Sequence, residues 1–419
     1  MPLLTIPLTN NMSILGRSLN SNSLKPFWTE QTHPLPYFHL PQVLLQDTMQ
    51  IKSQNSLQAF EVCLTPDSIF YKAGENLTKV TEIKWAIIES FYEENLGSCL
   101  FGFRVIKPEG KEDFFTTSEK VLERWLEILA GICLMTGFEH DFLVVKKIDS
   151  GKFGDICLCQ VLDSGEEYAV KVIKKENLES LEQVKFLRGE IKALRRLDHP
   201  LCVKLFRVYE EDNCIMLVME YVLHGSLLSR IQKCKKFTEP DVAVIASRLI
   251  AALCHLNQNS IIHRDLKPDN ILMTSSTNNY DIKIADFGLA SCSLKPQNTI
   301  CGSPGFMAPE MLQGQYYNEK FDIFSVGVIC YTLLTGKFPF ASKSVKEVLE
   351  KNRNCELKFE KKVWKDYSGI ALNFVQGLLD KDKLRRPSAE MALGHPWLSK
   401  YIVKSETENT HFSQQVSEM

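Results

Sequence analysis

The sequence feature that most constrains this chain is an ordered series of short polar motifs in its second half. Residues 263–270 (His-Arg-Asp-Leu-Lys-Pro-Asp-Asn) bring acids, bases and an amide together, and 286–288 (Asp-Phe-Gly) and 308–310 (Ala-Pro-Glu) follow. A carboxylate at a glycine-containing turn and a nearby amide oxygen are donors that a hard cation such as Mg²⁺ prefers. The series therefore predicts a catalytic centre.

Two weaker motifs precede this series. Residues 148–156 predict a glycine-rich hairpin between two strands, in which Gly151 and Gly154 let the backbone approach a polyphosphate. Lys171 lies on an apolar strand, and Glu190 lies beside the buried stripe of the next helix, where an unpaired carboxylate is costly. Lys171 is therefore the expected partner of Glu190. Taken singly, a plain β-turn and a lysine at a sheet edge explain these two motifs equally well.

Together, the five motifs resemble the signature set of the eukaryotic protein kinases over residues 142–398. The resemblance implies an α+β, bilobal kinase fold with a β-rich N-lobe and a helical C-lobe. It implies ATP and Mg²⁺ as cofactors and transfer of the γ-phosphate to serine or threonine hydroxyls of protein substrates. Lys267 favours this serine/threonine class, because it resembles the lysine that these kinases place near the transferred phosphate.

The resemblance also assigns site residues. The expected catalytic residues are Asp265, Lys267, Lys171 and Glu190, and the expected metal ligands are Asn270 and Asp286. The residues expected to bind the nucleotide are Ile148, Gly151, Gly154, Ile156, Ala169, Lys171, Glu220, Val222 and Leu272. The expected regulatory residues are Thr299, as a phosphosite, and Arg264, as the partner of its phosphate. Asp265 would accept or orient the proton of the substrate hydroxyl, while Lys171 would hold the α and β phosphates.

Positions around the site fit the same family. Asp322 resembles the residue that braces the catalytic loop, and Arg386 is expected to pair with Glu310. The expected gatekeeper is Met219, and the expected regulatory spine consists of Leu194, Leu205, His263 and Phe287. Ordinary core packing explains the aliphatic spine positions nearly as well. Asp149 replaces the first glycine of the family's loop, a departure expected to weaken nucleotide binding rather than to abolish activity.

Residues 301–312 and 385–398 most resemble the calcium/calmodulin-dependent group of kinases. The last 22 residues show no basic amphipathic helix of the kind that binds calmodulin, so the upstream signal is left open. Ser226 and Thr332 stand where basophilic relatives carry carboxylates, and only Asp269 remains of the usual three. A weak preference for arginine in the substrate is therefore expected. A pseudokinase scaffold and a membrane adaptor remain competing interpretations, although the residues that a pseudokinase lacks are all present.

The first third of the chain predicts a separate β domain. Short β-rich runs over residues 43–117 precede a helix that Ser118 caps and on which Trp125 lies, a pattern that resembles a pleckstrin-homology (PH) domain over 43–138. The expectation is a PH-like β-barrel capped by one helix, between a flexible arm (1–42) and the kinase domain, with a short tail (399–419). Another small β-and-helix domain remains an alternative.

The charge pattern of this region argues against lipid binding. Lys52 fits the basic position at the end of the first PH strand, but the second strand, 58–62, carries Glu61 and no basic residue. Residues 1–140 contain 11 Lys and Arg against 16 Asp and Glu, a net charge of −5. Phosphoinositide binding is therefore doubtful, and a protein partner or an intramolecular contact with the kinase domain is expected instead.

Composition excludes several other classes. The sequence has 44% hydrophobic and 24% charged residues, as soluble globular proteins do, and no run of about 18 apolar residues that would span a membrane. Neither half is basic enough for a nucleic-acid binder. The 13 scattered cysteines suit a reducing compartment, so a cytoplasmic location is expected.

Overall fold

The computed structural model describes residues 13–16, 26–31, 42–53, 56–72, 78–95, 98–151, 154–234, 237–293 and 295–401. The chain divides into two compact units, Met1–Lys185 with Leu205–Tyr221 and Phe186–Lys204 with Val222–Met419. We name them the first and the second unit. Among the described residues, no helix is both long and apolar enough to cross a membrane.

The first unit is built on a sheet that has 14 strands within its described residues. The strands that come first in the chain are β1 (Thr29–Gln31), β2 (Leu45–Ser53), β3 (Ser56–Leu64), β4 (Ser68–Lys72), β5 (Thr78–Glu82), β6 (Ile87–Asn95), β7 (Ser98–Lys107) and β8 (Gly110–Thr116). Helix α1 (Glu119–Ile132) follows them. The strands are antiparallel neighbours in the order β1-β5-β4-β3-β2-β8-β7-β6. We name strands β2–β8 together with α1 the N-terminal region.

The predicted antiparallel strands and their closing helix are therefore present. Helix α1 buries one apolar face, because its large side chains recur at helical spacing, and Trp125 at its centre is fully buried. The Trp125 ring stacks on Phe103 of β7 at 5.6 Å, and its indole N–H donates to the Asp47 carboxylate at 2.8 Å. Ser118 is the N-cap as predicted, although its side chain makes no capping hydrogen bond.

One predicted strand is wrong. The apolar run 82–88 suggests a continuous strand, but the chain turns at Lys84 and Trp85 between β5 and β6. The Ala86 N–H donates to the Ile83 carbonyl at 2.9 Å and closes this turn. Ile83 and Ala86, which flank the turn, are buried as strand residues would be, and the sequence pattern therefore misses the turn.

The remaining strands continue the same sheet. They are β9 (Leu134–Met135), β10 (Phe142–Gly151), β11 (Gly154–Val161), β12 (Glu167–Lys174), β13 (Leu205–Glu210) and β14 (Cys214–Glu220), and the short helix α2 is Phe138–Asp141. The sheet order goes on as β6-β9-β13-β14-β12-β11-β10. Strand β9 pairs in parallel with β6 on one side and with β13 on the other.

A common hydrophobic core accompanies this common sheet. The buried cluster of the first unit contains Trp125 and Leu129 of α1 together with Val170 of β12 and Val218 of β14. The N-terminal region and strands β10–β14 are thus two parts of one packed unit, whereas the sequence predicts two separate domains.

The second unit is mainly helical. It contains most of α3 (Leu181–Arg196), then α4 (Leu227–Lys233), α5 (Glu239–Gln258), α6 (Pro309–Leu312), α7 (Lys320–Thr335), α8 (Val345–Asn354), α9 (Lys361–Trp364), α10 (Gly369–Leu378) and α11 (Ala389–Leu393). Two small antiparallel sheets pair β15 (Ile261–Ile262) with β18 (Ser291–Cys292) and β16 (Ile271–Met273) with β17 (Ile282–Ile284). Helix α5 begins with a capping box between Thr238 and Asp241, and α7 ends at Gly336, whose φ of 70° suits glycine. Both helices are largely buried, and they position the loops between β15 and β18.

Part of the predicted flexible arm belongs to the fold. Within residues 1–42, β1 pairs with β5, and Ile14 and Leu15 are 6% and 0% exposed. These short apolar stretches lack the length that a periodicity argument needs. Residues 1–12, 17–25, 32–41 and 402–419 of the predicted arm and tail lie outside the described residues.

Candidate active site

The predicted nucleotide-binding residues of the first unit lie on four neighbouring strands, β14, β12, β11 and β10. Lys171 of β12 faces Ile156 of β11 on one side and Leu217 of β14 on the other in the sheet register, and it is 5% exposed. Two positions earlier, Ala169 lies opposite Met219, the predicted gatekeeper. Tyr168 lies opposite Glu220 at the end of β14. The register thus places the Lys171, Ala169 and Ile156 side chains on one face of the sheet, next to the backbone of Glu220.

The hairpin between β10 and β11 forms as predicted, with Gly151 opposite Gly154. A Cβ atom at Gly154 would lie 2.2 Å from the Val172 carbonyl oxygen, so only glycine fits there. Residues 152 and 153 at the tip lie outside the described residues. Asp149 has a local role in place of the missing glycine, because its carboxylate accepts the Ser150 N–H at 2.7 Å. Ile148, on the same strand, is 43% exposed.

In the second unit, the predicted catalytic residues Asp265 and Lys267 and the predicted metal ligand Asn270 are in direct contact. They lie in the predicted catalytic loop, residues 263–270. Lys267 Nζ donates to Asp265 Oδ2 at 3.0 Å, and the Asn270 amide donates to the same oxygen at 3.2 Å and to the Asp265 carbonyl at 2.8 Å. The other carboxylate oxygen, Asp265 Oδ1, is buried and has no hydrogen-bond partner among the described residues. A buried acceptor without a donor is uncommon and marks a place where a ligand donor fits.

A second carboxylate, that of Asp322, holds the backbone of this loop. Asp322 of α7 is fully buried, and its oxygens accept the N–H groups of His263 at 2.8 Å and Arg264 at 2.9 Å. Burial raises the pKa of Asp322 above its usual value, while these N–H donors oppose the shift. Arg264 itself has a φ of 68°, a left-handed conformation that costs free energy for a non-glycine residue. Asp322 therefore braces the loop in a strained form, as the sequence predicts.

The Asp286–Phe287–Gly288 turn lies next to this loop. Asp286 has a φ of 57°, and its carboxylate accepts the Gly288 N–H at 3.3 Å. Phe287 is fully buried, with its ring 4.9 Å from the His263 ring. His263 and Phe287, two of the four residues of the predicted regulatory spine, therefore lie side by side.

The donor set fits a magnesium ion that is bound together with phosphates. Among the described residues, no group of three His, Cys, Asp or Glu side chains could hold a metal ion by itself. Asp286 offers an exposed carboxylate, and Asn270 directs its NH₂ group to Asp265, which leaves the amide oxygen as the possible ligand. One or two protein oxygens, completed by water and phosphate, are the usual Mg²⁺ ligands in phosphoryl-transfer enzymes.

The segment after this turn contacts the catalytic loop through its backbone. Arg264 donates to the Tyr317 hydroxyl at 3.4 Å, and that hydroxyl donates to the Thr299 carbonyl at 2.8 Å. Burial raises the pKa of Tyr317 to about 12, so its hydroxyl stays protonated and available as a donor. The Thr299 side chain is exposed. Thr299 and Arg264, the two predicted regulatory residues, are thus joined through Tyr317.

Sequence reasoning missed Ser303. Its hydroxyl accepts a hydrogen bond from Lys267 Nζ at 2.8 Å, so Lys267 bridges Ser303 and Asp265. A Cβ atom on the neighbouring Gly302 would lie 2.7 Å from the Arg264 carbonyl oxygen, which shows how closely this segment approaches the loop. The Cys-Gly-Ser-Pro-Gly run at residues 301–305, which marks the subfamily, is also the sequence signal that could indicate this close approach.

The predicted residues are thus divided between the two units. The first unit holds Ile148, Gly151, Gly154, Ile156, Ala169, Lys171 and Glu220. The second unit holds Glu190, Val222, Arg264, Asp265, Lys267, Asn270, Leu272, Asp286 and Thr299. Glu190 on α3 is 3% exposed, but its pairing with Lys171 would join the two units and stays a prediction. The Arg386–Glu310 pair within the second unit is present, with two hydrogen bonds of 2.7 and 3.0 Å.

Comparison with known families decides the assignment. The protein kinase domain family matches residues 142–398, which is more than half of the chain. The chain belongs to the protein kinase family. This family has a sheet-rich and a helical lobe and uses ATP, in keeping with the sheet of the first unit and the helices of the second.

Curated relatives make the class more specific. The chain is 37% identical over 254 residues to the serine/threonine-protein kinase DCLK3 of Mus musculus, covering 60% of this chain and 32% of that protein. It is 32% identical over 284 residues to a calcium/calmodulin-dependent protein kinase type 1 of Macrobrachium nipponense, covering 67% and 82%. It is 34% identical over 266 residues to the myosin light chain kinase A of Dictyostelium discoideum, covering 63% and 90%. The chain thus spans about a third of the mouse kinase but most of the other two. The kinase domain is that of a protein serine/threonine kinase.

Proposed function

We propose that this protein transfers the γ-phosphate of ATP to serine or threonine hydroxyls of protein substrates, and that Asp265 receives the substrate hydroxyl. The observation that carries the proposal is the unequal use of the two Asp265 oxygens. Lys267 and Asn270 hold Oδ2, while Oδ1 is buried without a hydrogen-bond partner among the described residues. A hydroxyl that donates to Oδ1 would be held in line for attack as its proton is taken up.

The other site residues would position the nucleotide. Lys171 would contact the α and β phosphates, with Glu190 orienting its side chain, and Lys267 would neutralise the charge that develops on the transferred group. Asn270 and Asp286 would hold Mg²⁺, which supplies positive charge next to the phosphates when it is bound. The proposed adenine contacts are the backbones of Glu220 and Val222 and the side chains of Ile148, Ile156, Ala169 and Leu272, next to the hairpin of Gly151 and Gly154.

The test is an ATP/Mg²⁺ phosphorylation assay of the full chain against Asp265→Asn. Removing a general base lowers kcat by about 10²- to 10⁴-fold, so the variant should lose nearly all turnover while it still binds ATP. Asp281→Asn is the matched control, because Asp281 is a half-buried aspartate that pairs with Arg248 outside the catalytic loop. Turnover of Asp265→Asn at the rate of this control would refute the proposal.

We further propose that phosphorylation of Thr299 raises activity. A phosphate there adds about two negative charges near Arg264, which already reaches the Thr299 backbone through Tyr317. Ser291 stands where related kinases often add a basic residue, so the dependence on phosphorylation should be partial.

We propose that this kinase has only a weak preference for substrates with arginine before the phosphoacceptor. Ser226 caps α4 by accepting the Ser229 N–H, and Thr332 is 1% exposed and donates to the Val328 carbonyl, so neither offers a carboxylate to a substrate. Asp269 is exposed and remains as the one acidic candidate of the three positions. A peptide-library screen of the full chain should give no dominant arginine three residues before the phosphoacceptor. A dominant arginine there would contradict this proposal.

For the N-terminal region we propose a PH-like domain that does not bind phosphoinositides tightly. Lys52 is exposed at the end of β2, and β3 presents Glu61 and no basic side chain, which leaves one lysine where a headgroup needs several cations. Co-sedimentation of the full chain with liposomes that contain phosphoinositides should show no headgroup-specific binding. Tight, stereospecific binding would overturn this proposal.

We propose instead that this region contacts a protein partner or regulates the kinase domain within the chain. The shared sheet through β9 and the shared core support the intramolecular alternative. A cytoplasmic location is also proposed, and fluorescence microscopy of the tagged full chain would test it.

A further inference from the structure

Residues 13–16 (Ser-Ile-Leu-Gly), which we name the latch segment, bind the buried carboxylate of Glu210, almost 200 positions later in the chain. Ser13 Oγ donates to Glu210 Oε2 at 2.7 Å, and the Ile14 N–H donates to Glu210 Oε1 at 2.6 Å. The Gly16 N–H donates back to Ser13 Oγ at 2.7 Å and closes a turn. Ile14 and Leu15 are 6% and 0% exposed, so this turn buries apolar surface as well.

The other side of the latch segment faces the N-terminal region. A Cβ atom at Gly16 would lie 3.1 Å from the Trp85 carbonyl oxygen and 3.0 Å from Ser13 Oγ. Trp85 belongs to the turn between β5 and β6, whereas Glu210 ends β13. The latch segment therefore touches both parts of the first unit at once.

Glu210 depends on the donors that the latch segment supplies. Its side chain is 1% exposed, and its only ion pair among the described residues is with Lys175 Nζ at 3.1 Å. A buried carboxylate is costly unless several donors surround it. The latch segment gives two of these donors, and together with Lys175 and Glu210 it lines a cavity of about 1540 Å³.

We infer that Glu210 and Lys175 form a peptide-docking site whose occupant is this chain's own latch segment. The carboxylate accepts hydrogen bonds from a serine hydroxyl and a backbone N–H. Two buried apolar side chains and a glycine at a tightly packed position complete the recognition. The occupied site fastens the N-terminal region to strand β13. A peptide of the same chemistry in another protein would compete for it.

Hydrogen exchange of the full chain tests the cis contact without any use of catalysis. The Ile14 and Gly16 amides should exchange more slowly than in the free peptide of residues 10–18. Losing a hydrogen bond to a charged group corresponds to about 10- to 100-fold faster exchange, expected for Ser13→Ala and for Glu210→Gln. Glu211→Gln is the matched control, because that carboxylate accepts the Phe138 N–H at 2.9 Å and, among the described residues, makes no hydrogen bond to the latch segment. Unprotected amides in the wild type, or equal rates in all variants, would overturn the inference.

A peptide-binding experiment tests the site itself. The full chain with Leu15→Asp should release its latch segment and bind a fluorescent peptide of residues 10–18 about tenfold more tightly than the wild-type chain does. The same peptide carrying Leu15→Asp should not bind. If Leu15→Asp prevents folding, as a lost thermal transition would show, Ser13→Ala replaces it in the same measurement. Equal binding by both chains, or binding of both peptides, would refute the docking site.

Discussion

Replacing Asp322 by asparagine tests whether one buried carboxylate holds the catalytic loop in its strained form. Asparagine keeps one acceptor for the His263 or Arg264 N–H and presents its own NH₂ to the other donor. Losing a hydrogen bond to a charged group costs about 1.5–3 kcal/mol, and the buried N–H left without an acceptor costs about 1–3 kcal/mol more. The neutral amide avoids burying a charge, which offsets part of this sum. We therefore expect the free energy of unfolding to fall by about 3 kcal/mol.

The assay combines urea unfolding, followed by circular dichroism, with steady-state kinetics. Arg264 adopts its left-handed conformation next to Asp265, so a loosened loop should lower kcat more than it raises the KM for ATP. Asp281→Asn is the control, because its pair with Arg248 lies outside the catalytic loop and the two side chains are 28% and 33% exposed, so its loss should cost less than that of the fully buried Asp322. If Asp322→Asn matched this control in both stability and kcat, the reasoning about the brace would be refuted.

Three further predictions concern other parts of the chain. Lys171→Met should abolish phosphoryl transfer. It should keep the thermal transition of the wild type, because methionine fills a similar volume between β11 and β14. Retained activity in the phosphorylation assay would contradict the role assigned to Lys171. Thr299→Ala should lose part of the activity that the phosphorylated wild type shows. Mass spectrometry would confirm that the two proteins are equally phosphorylated at other sites, and equal activity would then contradict activation through Thr299. Burial raises the pKa of Glu239, but hydrogen bonds from Ser368 and Trp397 outweigh it and hold that pKa below 4.5. The stability that the Glu239 carboxylate contributes is therefore present above pH 4.5 and lost as the pH falls through its lowered pKa, so the melting temperatures of wild type and Glu239→Gln should converge once the pH is below that lowered pKa.

The catalytic loop was predictable from sequence because its partners are close together in the chain. Asp265, Lys267 and Asn270 lie within six positions, in one motif whose resemblance to the kinase signature supplies their expected roles. Contacts between distant segments could be predicted only where the family resemblance supplied them, as it did for Arg386 with Glu310, 76 positions apart. The bond from Lys267 to Ser303 spans 36 positions, and no periodic pattern links the two.

The join between the N-terminal region and the kinase strands was hidden for a similar reason. Strand β9 has two residues, too few for any alternation of apolar and polar side chains, and yet it pairs with both β6 and β13. The rings of Phe138, Phe142 and Tyr209 pack together at 5.3 to 6.1 Å beside it. Aromatic residues in a short connector are equally typical of a linker next to a domain, so sequence alone favoured two modules.

The shared core has a consequence for how this protein loses its structure on heating. Because Trp125 and Val218 belong to one buried cluster, unfolding of the N-terminal region exposes apolar surface of the nucleotide-binding strands at the same moment. The two parts should then melt as one calorimetric transition, with a single heat-capacity step for the first unit. A damaging substitution in α1, about 40 to 50 positions before Lys171, would therefore also destabilise the strand that carries Lys171. The N-terminal region could not be exchanged between kinases as an independent domain.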